Sequence, residues 1–301
     1  MRGILLWGLV CLAPAVHAAA GCGGHGTRQT MLVSTDWLAA HLKDPNVVVL
    51  SIGRPGEYDG GHIPGALELK YSEIVTKSGE SPLTSELPPM ERLSEVFGSL
   101  GVSNNSHVIL YVANDALSLT TRTYLTLDAM GMGARTSLLD GGFVTWKNEN
   151  RPVTQEVRAV KPAKFTACPQ SDIIAGRDYV QANLRHPGVD IVDARDARYY
   201  TGAQIPNNQR AGHIPGSVNI TFSTLVDAMN KFKPAADLAD LFAAHGIKPG
   251  DRVVSYCHIG QQATVVYFAA RMLGYDARLY DGSWEDWSAH KELPTEVTEH
   301  K

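Results

Sequence analysis

Short apolar runs alternate with longer segments of helical periodicity along most of the chain. The second half shows this most clearly. Its pattern predicts a helix from Gly176 to Arg185 and then a buried strand from Val189 to Val192. A helix follows from Ala235 to His245, where Gly246 ends it, and then a strand from Arg252 to Tyr256. The last pair is a helix from Ala263 to Leu273, closed by Gly274, and a short strand from Ala277 to Tyr280. Strands alternating with helices in this way predict an α/β fold, a small parallel sheet with helices on both faces.

The pattern occurs twice. Asp36-Trp37-Leu38 through Pro45 lines up with Asp178-Tyr179-Val180 through Pro187. The same spacing pairs Val47-Val48-Val49-Leu50 with Val189-Asp190-Ile191-Val192, Tyr58 with Tyr200 and Gly60 with Gly202. Gly61-His62-Ile63-Pro64-Gly65 matches Gly212-His213-Ile214-Pro215-Gly216 after nine extra residues, Ala203 to Ala211. Val108-Ile109-Leu110-Tyr111 matches Val253-Val254-Ser255-Tyr256, and Asp140-Gly141 through Trp146 matches Asp281-Gly282 through Trp287. Landmarks in one order indicate duplication, and a period this long means two domains rather than a solenoid. The first domain is expected over residues 30–149 and the second over 171–296. Between them, residues 150–170 carry Pro152, Pro162 and Pro169 and read as an extended linker.

Composition narrows the class. With 44% hydrophobic residues among 301, the chain has enough apolar surface for two cores, which excludes disorder and collagen-like repeats. A net charge of −4 offers no basic field to attract nucleic acid. Four cysteines are too few for a disulfide scaffold.

At the N-terminus, Arg2 precedes an apolar run from Ile4 to Leu12, then Pro14 and Val16-His17-Ala18-Ala19-Ala20. This reads as a secretory signal peptide over residues 1–20, too short for a comfortable membrane span. Export to a bacterial periplasm is the expectation. Ala19-Ala20-Gly21-Cys22 also resembles a lipoprotein box, with Ala where Leu is usual, so Cys22 is a candidate for a lipid anchor. Removing the leader removes Cys11 and leaves Cys22, Cys168 and Cys257. An odd count in an oxidising compartment suggests a free, reactive thiol. Whether Cys22 and Cys168 pair is open at this point.

Cys257 directly follows the strand 252–256, and His258, Ile259, Gly260, Gln261 and Gln262 separate it from the helix that begins at Ala263. Ligands of open α/β sheets bind at the carboxyl ends of strands. There the free amides and dipole of a helix N-terminus are expected to lower the thiol pKa and hold a thiolate or an anion. Gly260 lets the loop curl so that its amides point inward. The plain alternative is a small buried core cysteine, which the strand-end position and the glycine loop disfavour. His258 is either a base beside the thiol or a loop-lining residue.

Spacing argues against rival chemistries. A cysteine phosphatase needs an Arg six residues after its nucleophile, where Ala263 stands. A C-x-x-C dithiol would need a second cysteine in place of Gly260. A papain-like hydrolase would need a distant His and Asn, which the repeat does not suggest. Clustered Cys and His at zinc spacing are missing, and neither a metal nor a cofactor is implied.

The strand, cysteine loop and helix, with a Gly-His-Ile-Pro-Gly turn and an Asp-Gly-x-x-x-x-Trp motif in each half, together resemble the tandem rhodanese family of sulfurtransferases. The resemblance spans residues 30–295. It implies two rhodanese-fold domains with the catalytic cysteine in the second alone. It implies a donor, thiosulfate or 3-mercaptopyruvate, whose sulfane sulfur is held as a Cys257 persulfide and passed to cyanide or a thiol. The backbone of residues 258–263, ending at Ala263, would cradle that persulfide. Val112 stands where the first domain would carry the cysteine, so that domain looks catalytically silent.

Tandem members also carry an Arg six residues after the Asp of an Asp-x-Arg motif. Here Asp193-Ala194-Arg195 is followed at that place by Tyr199, with Arg198 one residue earlier. Arg198, and Arg210 inside the nine-residue insertion, are the candidates to bind a dianionic donor; each is otherwise a solvated surface residue. Asp193 and Arg195 are expected to orient the loop. Thiosulfate-type members often have basic residues after the cysteine and mercaptopyruvate-type members Gly-Ser-Gly, and His258-Ile259 fits neither. The missing Ser weakens the mercaptopyruvate reading, and a partly protonated His258 would favour thiosulfate. Gln261 and Gln262 can hydrogen-bond an oxyanion without adding charge. A persulfide carrier with little free turnover is the alternative function. His62 and His213 are expected to serve their turns. Trp284 and Trp287 are expected to pack, with Trp284 in the substrate cleft as the other reading.

Overall fold

The computed structural model describes residues 25–115, 117–206 and 209–298. The expected leader and the candidate anchor Cys22 lie outside the described residues. Among these residues ten strands form two five-stranded sheets in which every pairing is parallel. The first contains β1 (Leu32–Val33), β2 (Val47–Ile52), β3 (Leu67–Glu68), β4 (His107–Val112) and β5 (Thr136–Leu139), in the order β1-β5-β4-β2-β3. The second contains β6 (Ile174–Ala175), β7 (Val189–Asp193), β8 (Val218–Asn219), β9 (Arg252–Tyr256) and β10 (Asp276–Tyr280), in the order β6-β10-β9-β7-β8. The two orders are the same permutation, as duplication requires. The connecting helices are α1 (Arg28–Met31), α2 (Thr35–His41), α3 (Met90–Ser99), α4 (Leu117–Ala129) and α5 (Gly142–Asn148) in the first domain. In the second they are α6 (Arg177–Ala182), α7 (Ala197–Tyr200), α8 (Ala235–Ala244), α9 (Ala263–Leu273) and α10 (Ser283–Ala289).

The central strands β4 and β9 are buried along almost their whole length because helices cover both faces of each sheet. Val108 to Val112 and Val253 to Tyr256 are all buried. Helix α6 is shorter than its pattern suggests. The Asn183 amide turns back to the Val180 carbonyl at 3.1 Å, and Arg185 adopts a φ of 54°. The expected linker contains no helix or strand beyond an isolated bridge, yet it is strapped down along its length. Thr154 bridges His62, Phe165 packs its ring edge 6.5 Å from Phe97, and Cys168 is disulfide-bonded.

One hydrophobic cluster runs through both domains, from Leu50 and Leu110 to Val265 and Leu279. Helices α4 and α9, the matching helix of each copy, meet at its centre. Their hydroxyls pair, Thr121 Oγ1 to Thr264 Oγ1, at 2.7 Å. Tyr124 sets its ring edge to face with Phe268 at 4.8 Å, and the Tyr267 hydroxyl donates to buried Asp128 at 2.6 Å. Because α9 is the helix that follows Cys257, this seam fixes the cysteine loop against the other domain.

Candidate active site

Strand β9 ends by delivering Cys257 to the floor of a loop that leads into α9. The residue is fully buried. Its backbone is held from both sides by the start of α10. The Cys257 amide donates to the Ser283 hydroxyl at 3.1 Å, and the Trp284 amide donates to the Cys257 carbonyl at 3.0 Å. The Glu285 amide donates to the His258 carbonyl at 3.0 Å. Ser283 adopts a φ of 52°, unusual for a residue with a Cβ, and its hydroxyl donates onward to the Tyr280 carbonyl at 2.8 Å. The amides of Ala263, Ile259 and Gln262 are directed at the Cys257 sulfur. Gly260 makes this curl possible. Its φ is 76°, and a Cβ there would stand 2.6 Å from the Asp281 carbonyl oxygen.

The electrostatics depart from the expectation of a lowered thiol pKa. Burial pushes the Cys257 thiol up, and the three amides only partly oppose that effect; Asp193 also raises it. Near pH 7 Cys257 is therefore a thiol, and the three amides favour its charged form. His258 also differs from expectation. Burial, helped by nearby Arg195, pushes its pKa down to about 4, so it is neutral near pH 7 and brings no positive charge to a donor. Its ring rests edge-on against Tyr199, with centroids 4.6 Å apart.

The pH dependence follows from these shifts. Loading of Cys257 should rise with pH through a midpoint above that of an ordinary thiol, with no inflection from His258 near 6.5. Because His258 is held at about 4 in the fold and titrates near 6.5 when unfolded, the unfolded chain binds the extra proton between those values. His258 therefore makes the protein lose stability as pH falls from roughly 6.5 to 4. Chemical denaturation across that range, compared with His258→Gln, measures the contribution; an unchanged slope in the variant would contradict it.

The two arginine candidates do not face the cysteine. The Arg198 side chain is 59% exposed and sits 3.4 Å from Asp196, whose carboxylate also caps α7 by accepting from the Arg198 amide at 3.1 Å. That cap holds Arg198 on the surface, so the one-residue shift that would turn it inward does not occur. Arg210 donates to the carbonyls of Leu293 at 2.7 Å and Trp287 at 3.0 Å, tying the insertion to the C-terminal segment. It is a strut.

Arg195 is different. It forms a fully buried pair with Asp193 at 2.6 Å, and the same nitrogen donates to the Gly212 carbonyl at 2.8 Å. Its guanidinium lies 4.6 Å over the Trp284 ring, and its charge and that of Cys257 act on each other. Trp284 and Trp287 are fully buried packing residues, which corrects any placement of Trp284 in an open cleft. His213 stacks on Tyr200 at 3.8 Å and places Nδ1 2.7 Å from the Tyr200 carbonyl. His62 repeats the arrangement with Tyr58 and also meets the Glu156 carbonyl at 3.1 Å, so both histidines are bound to their own turns.

The first domain supplies what the sequence did not reveal. Arg122 on α4 is fully buried and forms a two-pronged ion pair with Asp281 of the Asp-Gly motif. It also donates to the Gly260 carbonyl at 3.3 Å and the Ser85 carbonyl at 2.8 Å. The Leu87 amide adds a bond to Asp281 at 3.0 Å, Gln261 donates to Ser118 at 3.0 Å, and Thr84 binds Glu285 at 2.7 Å. Gln262 keeps a buried amide oxygen without a partner. The cysteine loop is thus braced by the copy that lacks a cysteine. A charged residue amid Thr120-Thr121-Arg122-Thr123-Tyr124, in an otherwise uncharged stretch, was the available signal for Arg122. Ser283 was visible as the residue that replaces Gly142 in the repeat.

The site defines a class: paired parallel α/β domains, with a buried, amide-lined free cysteine at a helix N-terminus in the second copy alone. The Rhodanese-like domain matches residues 34–149 and 177–290. The chain belongs to this family, as a two-domain sulfurtransferase of the rhodanese type. It is 29% identical over 261 residues to a thiosulfate sulfurtransferase of Azotobacter vinelandii, covering 86% of this chain and 94% of that one. It is 31% identical over 271 residues to a sulfur carrier protein of Thermus thermophilus, covering 85% and 93% of the two chains. Among solved structures, the 3-mercaptopyruvate sulfurtransferase SseA of Escherichia coli superposes with a TM-score of 0.75 at 27% identity, covering 85% of this chain and 99% of that one.

Proposed function

We propose that the protein transfers sulfane sulfur from thiosulfate to cyanide or a thiol through a persulfide on Cys257. The observation that carries this is Cys257 itself: the one free cysteine among the described residues, with three backbone amides directed at its sulfur. Once the thiol proton has left to solvent, the thiolate attacks the outer sulfur of thiosulfate. A bond forms between Sγ and that sulfur, the sulfur–sulfur bond of thiosulfate breaks, and its electron pair leaves with sulfite. Cys257 then carries a persulfide whose negative charge the loop amides accept. Cyanide attacks the outer sulfur, thiocyanate departs, and the thiolate returns. The two half-reactions predict ping-pong kinetics.

Thiosulfate is favoured over mercaptopyruvate as donor because Ile259 replaces the loop serine. The Ser283 hydroxyl, which meets the Cys257 amide, is already engaged with Cys257 and Tyr280. A second reading, a persulfide carrier serving one partner, is favoured by the likeness to the Thermus sulfur carrier protein and by the complete burial of Cys257. We further propose an exported, periplasmic protein, since the disulfide at Cys168 suits an oxidising compartment. Purified protein assayed with thiosulfate and with mercaptopyruvate, against cyanide and thiols, separates the readings. Rapid thiocyanate formation from thiosulfate is expected. Turnover from mercaptopyruvate alone would reverse the donor assignment, and a stable persulfide with little turnover would favour the carrier.

A further inference from the structure

The turn that follows α4 collects two segments far apart in the sequence. Gly26 stands against it: a Cβ there would lie 2.9 Å from the Gly133 carbonyl oxygen. Cys168 reaches the same turn from the linker. Its amide donates to the Met130 carbonyl at 2.9 Å, and a Cβ on Gly131, whose φ is 83°, would lie 2.7 Å from the Cys168 carbonyl oxygen. His25 fixes the approach of the N-terminal segment. Its Nδ1 lies 2.9 Å from the buried Asp128 carboxylate at the end of α4, and its Nε2 lies 3.7 Å from Asp172. The hydrogen bond to Asp128 raises the pKa of His25, so its charged form persists to higher pH than in an ordinary histidine. Asp128 also accepts from Tyr267 of α9 at 2.6 Å, and the Tyr267 hydroxyl accepts from Arg271 at 3.1 Å. The segment thus docks on both helices of the interdomain seam. It does so at the end away from the cysteine loop, because α9 starts at that loop and Arg271 lies in its last turn.

The cysteines can then be assigned. Cys168 is disulfide-bonded and Cys257 is free. The sequence holds only two others, Cys11 and Cys22. Cys11 belongs to the apolar run of the expected leader and leaves with it. Cys22 precedes Gly26 by four residues, which span at most about 14 Å, enough to reach the turn that Gly26 and Cys168 share.

We infer that Cys22 is the disulfide partner of Cys168, and that this bond staples the N-terminus of the mature chain to the interdomain seam in place of a lipid anchor. The two thiols give up two protons and two electrons to a disulfide-bearing oxidant of the exporting compartment, which leaves as a dithiol, and a bond forms between their sulfur atoms. The Cys22 sulfur, once so bonded, cannot also carry the thioether of a lipid. Cys257 is left as the one thiol of the mature chain, so no second thiol competes for its persulfide.

The inference rests on the exported reading and is independent of the sulfur donor. The full chain, expressed with its leader in a bacterial host, is digested without reduction and read by peptide mass. One cross-linked pair is expected, joining the peptides of Cys22 and Cys168, lighter than their sum by the two hydrogens lost and separated by a reductant. Cys257 alone should be alkylated by iodoacetamide under denaturant. The mass of the N-terminal peptide reads leader removal separately from the pairing. A lipid thioether on Cys22, alkylation of Cys22 without reduction, or Cys168 joined to Cys11 overturns the inference, whether or not the leader has been removed. Stability gives a second reading. Cys22→Ser and Cys168→Ser should each lower the thermal midpoint by roughly 5 °C, and the double variant no further, because either change removes the same cross-link. Additive losses, unequal losses or none overturn the staple.

Discussion

Cys257→Ser is expected to abolish sulfur transfer, a loss of at least about 10⁴-fold, with the fold intact. The size follows from the covalent route. Serine offers no thiolate, and oxygen does not accept sulfane sulfur as a persulfide, so both half-reactions disappear together rather than slowing separately. Neutrality of the fold follows from the surroundings of the sulfur. A hydroxyl buried without a partner costs on the order of 1–3 kcal/mol. Here the amides of Ala263, Ile259 and Gln262 are already directed at that atom and can satisfy the new oxygen. The measurement is the intact mass after thiosulfate treatment, alongside thiocyanate formation. Wild-type protein should gain the mass of one sulfur atom and Cys257→Ser none. Appreciable transfer by the variant, or a sulfur adduct that persists in it, would remove Cys257 from the mechanism.

The architecture was legible in the sequence because it is written twice. The apolar runs at Val47–Leu50 and Val108–Tyr111 gained weight from their partners at Val189–Val192 and Val253–Tyr256, and both members of each pair are strands of parallel sheets. The cysteine loop was legible because strand, glycine and helix start are local signals. Helix α6 was misjudged in length because its last residues keep an amphipathic pattern while Arg185 leaves helical backbone geometry. No residue type in that stretch announces the change.

The surroundings of Cys257 were less legible, for two physical reasons. First, whether a charge helps depends on where its element ends. Arg198 has the right type and nearly the right spacing, but the Asp196 cap on α7 keeps it at the surface. Second, burial reverses simple expectations of charge. Helix-end amides alone would lower a thiol and leave a histidine near its usual value, but desolvation dominates both Cys257 and His258. The residues that do approach the loop, Ser118 and Arg122, come from the other domain at separations that local periodicity does not sense.

Arg122→Met is expected to be the most damaging change outside the cysteine loop, and the double variant Arg122→Met/Asp281→Asn shows why. Removing Arg122 leaves Asp281 buried with its charge uncompensated, and the carbonyls of Gly260 and Ser85 without their donor. Breaking a buried ion pair from one side costs about 3–5 kcal/mol, or roughly 10 °C in thermal midpoint for a chain of this size. Adding Asp281→Asn removes the stranded charge, and most of that stability should return. Activity should not return with it. The Gly260 carbonyl still lacks its partner across the domain seam, so the loop amides are no longer held on Cys257, and the transfer rate should remain depressed by on the order of 10²-fold. Thermal unfolding and sulfite release, measured on the single and double variants, separate the two roles. Recovery of stability and rate together would make Arg122 an interdomain tie with no part in positioning the cysteine loop.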